Sequence, residues 1–92
     1  MRDVNYYRSI EGELLSILSE LGPEWTAEDK TAVQEEIGYA EYGLAIEVLA
    51  GSAVNLGRPL SPDLRKRIGV LADRAGLQDS ALIASLRKRQ AA

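Results

Sequence analysis

The fold is decided by residues 37–49, IGYAEYGLAIEVL, which form the most apolar continuous run of the chain and lie near its middle. At helical pitch, this run and the residues after it place most of their apolar side chains on one broad face. That face comprises Tyr42, Ala45, Ile46, Leu49, Ala53 and Leu56. Leu44 and Val48 add a narrower apolar stripe nearly opposite. So little polar surface predicts that this helix is the buried centre of a bundle.

The few polar or small positions of this central helix are regularly spaced. Gly43, Glu47 and Gly51 recur every four residues, so a carboxylate has a glycine one turn above it and another one turn below it. Each interior glycine costs about 1 kcal/mol relative to alanine. We therefore expect a close approach at these positions, either by a neighbouring helix of the same fold, which is the simpler explanation, or by a partner.

The first helix is predicted from Asp3, as its N-cap, to Leu21, where Gly22-Pro23 ends it. Its apolar residues recur at steps of three and four. They are Val4, Tyr7, Ile10, Leu14, Ile17, Leu18 and Leu21. Of the adjacent tyrosines Tyr6 and Tyr7, we expect one to face the core and the other to remain partly exposed.

A second helix is predicted after Thr26, which with Asp29 forms a variant of the capping box. Trp25 is the only tryptophan, and we expect it to pack against the following turn, although an exposed tryptophan would be a binding anchor. Residues 38–41 predict a bend before the third helix. A single helix over residues 27–55 would be long and would contain three glycines.

Turn residues also divide the second half of the chain. Gly57 is expected to end the third helix in a left-handed conformation. Ser61 is predicted to cap the fourth helix, with Pro62 at its first position. Gly76 is expected to end that helix, and a short fifth helix starts near residue 80. No strand is predicted.

Length and composition favour one small non-enzymatic domain. The 92 residues are enough for a single core, so we predict an all-α bundle of about five helices in one domain spanning residues 1–92. The chain has no cysteine and no histidine, which excludes disulfides, the usual zinc sites and Ser-His or Cys-His pairs. We expect no catalysis, cofactor or metal. No apolar run approaches about 20 residues and no signal peptide is evident, so we expect a cytoplasmic protein without a membrane partner.

Charge divides the chain into two halves of opposite sign. Residues 1–57 contain eleven acidic and three basic residues, and residues 58–92 contain three acidic and eight basic residues, giving net charges of −8 and +5. This division indicates an acidic surface for a basic partner. It is equally compatible with two halves that attract each other within the fold.

Residues 71–82, LADRAGLQDSAL, resemble a helix-turn-helix, in which a small turn joins a support helix to a recognition helix. However, Ala81, Ile83 and Ala84 at the start of that recognition helix offer no hydrogen bonds to base edges. The acidic first half also opposes the phosphate backbone. A small DNA-binding regulator is therefore the alternative function, and nucleic acid is not the expected partner.

Residues 31–77 contain three short motifs in a fixed order. An acidic helix ending Val33-x-x-x-Ile37 is followed by EYGLAIEVL at residues 41–49 and by PLSP at residues 59–62. This arrangement resembles the MafI-type immunity proteins. In that family a similar acidic-aromatic-Gly-x-Ala-x-Glu segment precedes a proline-containing linker with a Ser or Thr cap and a further amphipathic helix.

The resemblance implies a small cytoplasmic protein that neutralises a cognate polymorphic toxin, often a nuclease, by stoichiometric binding. An acidic helical surface would be steered to a basic active-site groove and could block it. We predict that the contact surface comprises Glu35, Glu36, Tyr39, Glu41, Tyr42 and Glu47, with Glu24, Trp25 and Glu28 nearby. Two alternatives remain. Several of these residues could serve the core alone, and the chain could be a generic helical interaction module.

Overall fold

The structure is a computed structural model that describes residues 4–91, with the side chains of residues 5–88. This range forms five α-helices and no strand, which confirms the predicted all-α class. The helices are α1 (Val4–Glu20), α2 (Ala27–Gly38), α3 (Tyr42–Asn55), α4 (Pro62–Arg74) and α5 (Ala81–Ala91).

The predicted helix boundaries coincide with local capping hydrogen bonds. Thr26 Oγ1 accepts from Asp29 N at 3.0 Å, and Thr26 N donates to the Asp29 carboxylate at 2.8 Å, so the capping box is complete. Ser61 Oγ accepts from Leu64 N at 3.1 Å at the start of α4. Gly57 and Gly76 have positive φ values of 70° and 79°, as predicted for residues that end helices. The predicted N-cap Asp3 lies outside the described residues.

α3 is the central helix, because it packs against α1, α2, α4 and α5. Its buried residues include Ile46 and Leu49, which are fully inaccessible to solvent. The other fully buried large side chains come from α1, α2, α4 and α5. They are Ile10, Leu14, Ile17, Val33, Ile68, Leu71, Ile83 and Leu86. In contrast, α2 packs chiefly against α3 and buries only one side.

Three residues of the predicted apolar stripes are exposed. Leu44 is 50% exposed, since it lies in the first turn of α3 and projects nearly opposite the buried Ile46. Leu56 is 59% exposed, since it is the C-cap of α3 and lies beyond the last packed turn. Tyr7 is 44% exposed, whereas its neighbour Tyr6 packs against the core. The predicted division between the two tyrosines is therefore confirmed, and Tyr6 is the one that faces the core.

The glycines of α3 face Leu77 and Leu82 of the same fold, but the contacts are not close enough to require glycine. A Cβ atom on Gly43 would lie 3.9 Å from Leu77 Cδ2, and one on Gly51 would lie 3.7 Å from Leu82 Cδ1. These are ordinary van der Waals distances. A methyl group therefore fits at both positions, while a larger side chain would meet the leucines.

The two oppositely charged halves attract each other through specific ion pairs. Arg58 Nε lies 2.8 Å from the buried carboxylate of Asp29, and Arg67 on α4 lies 2.5 Å from Glu13 and 2.7 Å from Glu20 on α1. Hydrogen bonds from Arg67 lower the pKa of Glu20. Arg67 thus makes one side of α4 a charged contact with α1.

Asp29 is expected to make stability depend on pH. The Thr26 backbone N–H and, after it, the Arg58 guanidinium lower the pKa of Asp29 below its ordinary value of about 4. The carboxylate therefore stabilises the fold above about pH 4, and this contribution is lost as the pH falls through the lower folded pKa. Asp29→Asn should unfold more easily at pH 7, and its deficit against wild type should shrink in acid.

Urea denaturation of both proteins from pH 7 to pH 2.5 measures this difference, with Asp79→Asn as the control because Asp79 is exposed. A deficit that stayed constant across this range would contradict the role assigned to the carboxylate.

Gly51→Ala is expected to raise the free energy of unfolding by up to about 1 kcal/mol, because alanine favours a helix interior and its methyl group fits beside Leu82. Gly51→Leu should instead lower it, since the added atoms overlap that leucine. Thermal unfolding of both variants measures the effect. Destabilisation by alanine would show that the contact with α5 is closer than this packing allows.

Candidate partner-binding surface

The outward side of α2 carries an acidic face. Glu28 and Glu35 are exposed and seven residues apart, so they lie on one side of the helix about 10 Å from each other along its axis. Glu36 is half-buried on the flank of this face, and Glu41 is exposed just before α3. Lys30, the only base within α2, projects nearly opposite Glu28. We call Glu28, Glu35, Glu36 and Glu41 the acidic face.

The glutamates of the acidic face are not neutralised by neighbouring basic side chains. Among the side chains of residues 5–88, none of the four forms an ion pair. The reason is the position of α2. Its main neighbour is α3, whose sequence YGLAIEVLAGSAVN contains no lysine or arginine. The paired acids Glu13, Glu20 and Asp29 lie instead where α4 or the linker before it supplies an arginine.

The turn between α2 and α3 fixes the position of Glu41. Tyr39 N, Ala40 N and Glu41 N donate to backbone carbonyls at the end of α2, at 3.2, 2.9 and 2.9 Å. Ala40 has a φ of 57°, a left-handed conformation that costs an L-residue about 1–2 kcal/mol. Tyr39, the C-cap of α2, is 76% exposed. The turn therefore presents one aromatic ring and one carboxylate on a backbone held by three hydrogen bonds.

Tyr42 belongs to an aromatic cluster with α1. Its ring stacks on Tyr7 at a centroid distance of 6.0 Å, and the Tyr6 ring meets Tyr7 edge-on at 5.3 Å. Tyr42 Oη donates to Glu11 Oε1 at 3.1 Å. Burial, followed by the hydrogen bond to Glu11, raises the pKa of Tyr42. We call Tyr6, Tyr7 and Tyr42 the tyrosine cluster.

Two of the predicted contact residues serve the interior of the fold. Glu47 is half-buried and accepts a hydrogen bond at 3.1 Å from Ser80 Oγ, just before α5, so it lies on the side of α3 that faces α5. Trp25 is 3% exposed, and its Nε1 donates to Pro59 O at 2.7 Å. Trp25 is therefore a buried structural residue rather than an exposed binding anchor, and its hydrogen bond is to the linker before α4.

Sequence reasoning missed the contribution of α1 to this region. Glu11, Tyr6 and Tyr7 reach Tyr42 only because α1 packs beside the start of α3. Adjacent tyrosines were a visible signal, but nothing local connects residue 7 with residue 42. Three residues of the predicted surface, Tyr39, Glu41 and Tyr42, lie at the turn between α2 and α3. Glu35 and Glu36 lie just before this turn, at the end of α2, whereas Glu47 lies apart from them.

The recognition helix of the DNA-binding alternative would be α5, several of whose side chains contact the rest of the protein. Ile83 is buried, and Arg87 donates to Gly69 O at 2.9 Å and pairs with Asp73 at 2.8 Å. Ala81, Ala84 and Lys88 are exposed. Among the described side chains of this helix, Lys88 is thus the one exposed cation without a bonding partner in the fold.

The chain matches no protein-family model, no curated protein and no solved structure. Residues 4–91 contain no helix with the length and apolarity needed to cross a bilayer. The described residues also contain no cluster of three or more acidic side chains arranged to hold a metal ion.

Ala40→Gly is expected to stabilise the protein by about 0.5–1 kcal/mol. Glycine adopts a positive φ without the steric cost paid by alanine, and its greater loss of chain entropy offsets part of this gain. Thermal and urea unfolding measure the change, with Gly38→Ala as a control for side-chain changes near the same turn. A lower melting temperature for Ala40→Gly would contradict the strain assigned to this turn.

Proposed function

We propose that this protein is a cytoplasmic immunity protein, which binds a cognate polymorphic toxin domain stoichiometrically and blocks it without catalysis. The observation that carries the proposal is the acidic face, whose four glutamates form no ion pair among the side chains of residues 5–88, whereas Glu13, Glu20 and Asp29 pair with arginines. The resemblance of residues 31–77 to the MafI-type immunity proteins supports the same function.

Electrostatics supply the mechanism of inhibition. A surface of one charge sign accelerates association with an oppositely charged partner, by about tenfold to a thousandfold at low ionic strength. A toxin that acts on nucleic acid needs a basic groove, because phosphate attraction supplies most of its non-specific affinity. The acidic face would occupy such a groove in place of nucleic acid. Tyr39, beside Glu41, adds an exposed aromatic ring of the kind that dominates binding energy at interfaces.

The alternative that retains a specific observation is a helix-turn-helix regulator, because α4 and α5 are joined by a short turn containing Gly76. A mobility-shift assay with random duplex DNA at low salt separates the two functions. A salt-dependent shift at micromolar protein would favour the regulator. A generic helical interaction module is distinguished by its partner, which would not be a toxin.

The direct test is to sequence the gene immediately upstream and to co-express this protein with any toxin domain that this gene encodes. We expect this protein to restore growth and to co-purify with the toxin as a one-to-one complex. Full toxicity in its presence, together with no complex, would overturn the proposal.

Reversing charge on the acidic face should slow toxin association by about tenfold or more at low salt and by less at high salt. The variant is Glu28→Lys with Glu35→Lys, since both residues are exposed. Unfolding should change little, because exposed charges contribute about 1 kcal/mol or less. Stopped-flow association measures the rate. Glu35→Lys with Glu36→Lys should show the same effect, with some loss of stability because Glu36 is half-buried.

The matched control is Asp63→Lys with Asp79→Lys, which makes the same change of net charge at exposed positions outside α2. Equal slowing in both double variants would show that net charge, rather than the acidic face, steers the encounter.

A further inference from the structure

The tyrosine cluster borders a cavity, and binding through the acidic face does not by itself give this cavity a role. The cavity has a volume of about 190 Å³ and lies between α1, α4 and the turn that precedes α3. It is lined by Tyr6, Tyr7, Ile10, Ala40, Glu41, Tyr42, Gly43 and Ala75. Pockets for small-molecule ligands usually have volumes of about 300–1,000 Å³. The space is therefore suited to one amino-acid side chain rather than to a metabolite.

The chemistry of the lining favours a cation. Three of its side chains are tyrosines, whose ring faces attract positive charge, and Glu41 adds a carboxylate. Its described lining residues include no lysine or arginine. Glu11 accepts the hydrogen bond of Tyr42 and adds a second carboxylate at the hydroxyl end of that ring. A phosphate or carboxylate would be repelled here, while a positive group would meet both aromatic and anionic partners.

The cavity can be reached from solvent, and the residues that line it are held in place. Tyr7 is 44% exposed, so a group on another molecule can reach the cluster from solvent. Stacking on Tyr42 and the edge contact with Tyr6 hold the Tyr7 ring in place. The hydrogen-bonded turn holds Glu41 beside them. Binding therefore causes little further loss of side-chain conformational entropy at this site.

We propose that this cavity binds an arginine side chain of the partner protein, with its guanidinium group against the tyrosine rings and paired with Glu41. Arginine fits better than lysine because its planar group both stacks on aromatic rings and pairs with a carboxylate through two hydrogen bonds. The inference rests on the proposed function, since it names the partner residue that is received next to the acidic face.

Capped Gly-Arg-Gly peptide provides a probe that does not need the toxin. Its titration into the protein should shift the ring proton NMR signals of the tyrosine cluster with saturation, at a dissociation constant on the order of millimolar. The same peptide with citrulline, which is neutral and nearly isosteric, should give no saturable shift. The lysine peptide should bind more weakly than the arginine peptide. Equal shifts with citrulline, or no saturable shift with arginine, would overturn the proposal.

Three variants test the location of the site. Tyr7→Leu removes a ring while keeping an apolar side chain, and we expect at least about threefold weaker peptide binding. Glu41→Gln should weaken binding similarly and reduce its salt dependence. The control is Tyr39→Leu, because Tyr39 is highly exposed and does not line the cavity. Loss of binding in Tyr39→Leu but not in Tyr7→Leu would place the site elsewhere.

Failure of this inference is distinguishable from failure of the proposed function. A one-to-one toxin complex whose affinity is unchanged by Tyr7→Leu, with no arginine-specific peptide binding, would overturn the cavity proposal and leave immunity standing. Arginine-specific binding without any toxin complex would overturn immunity and leave a site for basic side chains.

Discussion

The fold depends on α3, whose buried side includes several small residues. α3 combines the large residues Ile46 and Leu49 with small ones at Ala45, Ala50 and Ala53. The distance between packed helix axes, about 8–10 Å, depends on the size of the side chains at the contact. Small residues therefore allow several helices to pack closely against α3. Gly43 and Gly51 lie on the side of α3 that meets Leu77 and Leu82 at ordinary packing distances.

The same arrangement decides where negative charge accumulates. Arginines of the second half neutralise acids on α1 and at the start of α2, but the outer side of α2 lies beyond their reach. Since α2 rests mainly on a helix without basic residues, its surface glutamates keep their charge exposed to solvent. Such exposed pairs would have contributed little to stability in any case. The unpaired glutamates thus cost the fold little, which leaves them free for an intermolecular role.

The turn before α3 combines a strained backbone residue with contacts between distant parts of the chain. Ala40 adopts a backbone conformation usually left to glycine, and the next two residues supply the carboxylate and one ring of the cavity. Strained backbone persists only where the surrounding structure holds it, and it is frequent at functional sites. Here three backbone hydrogen bonds and the contacts of Tyr42 with α1 hold it. The proposed binding region therefore combines α1, α2 and α3, with no single motif that encodes it.

The sequence by itself determined the five helices, their caps at Thr26 and Ser61, and the positive φ of Gly57 and Gly76. These features depend on residues three or four positions apart, where chain geometry leaves few choices. Only the tertiary structure decided that Leu44 stays exposed, that Glu47 turns to Ser80 and that Tyr42 joins Glu11, 31 residues away. Periodicity shows that a helix has an apolar face. Which of its remaining sides are covered depends on how the other helices pack, and that is a property of the whole chain.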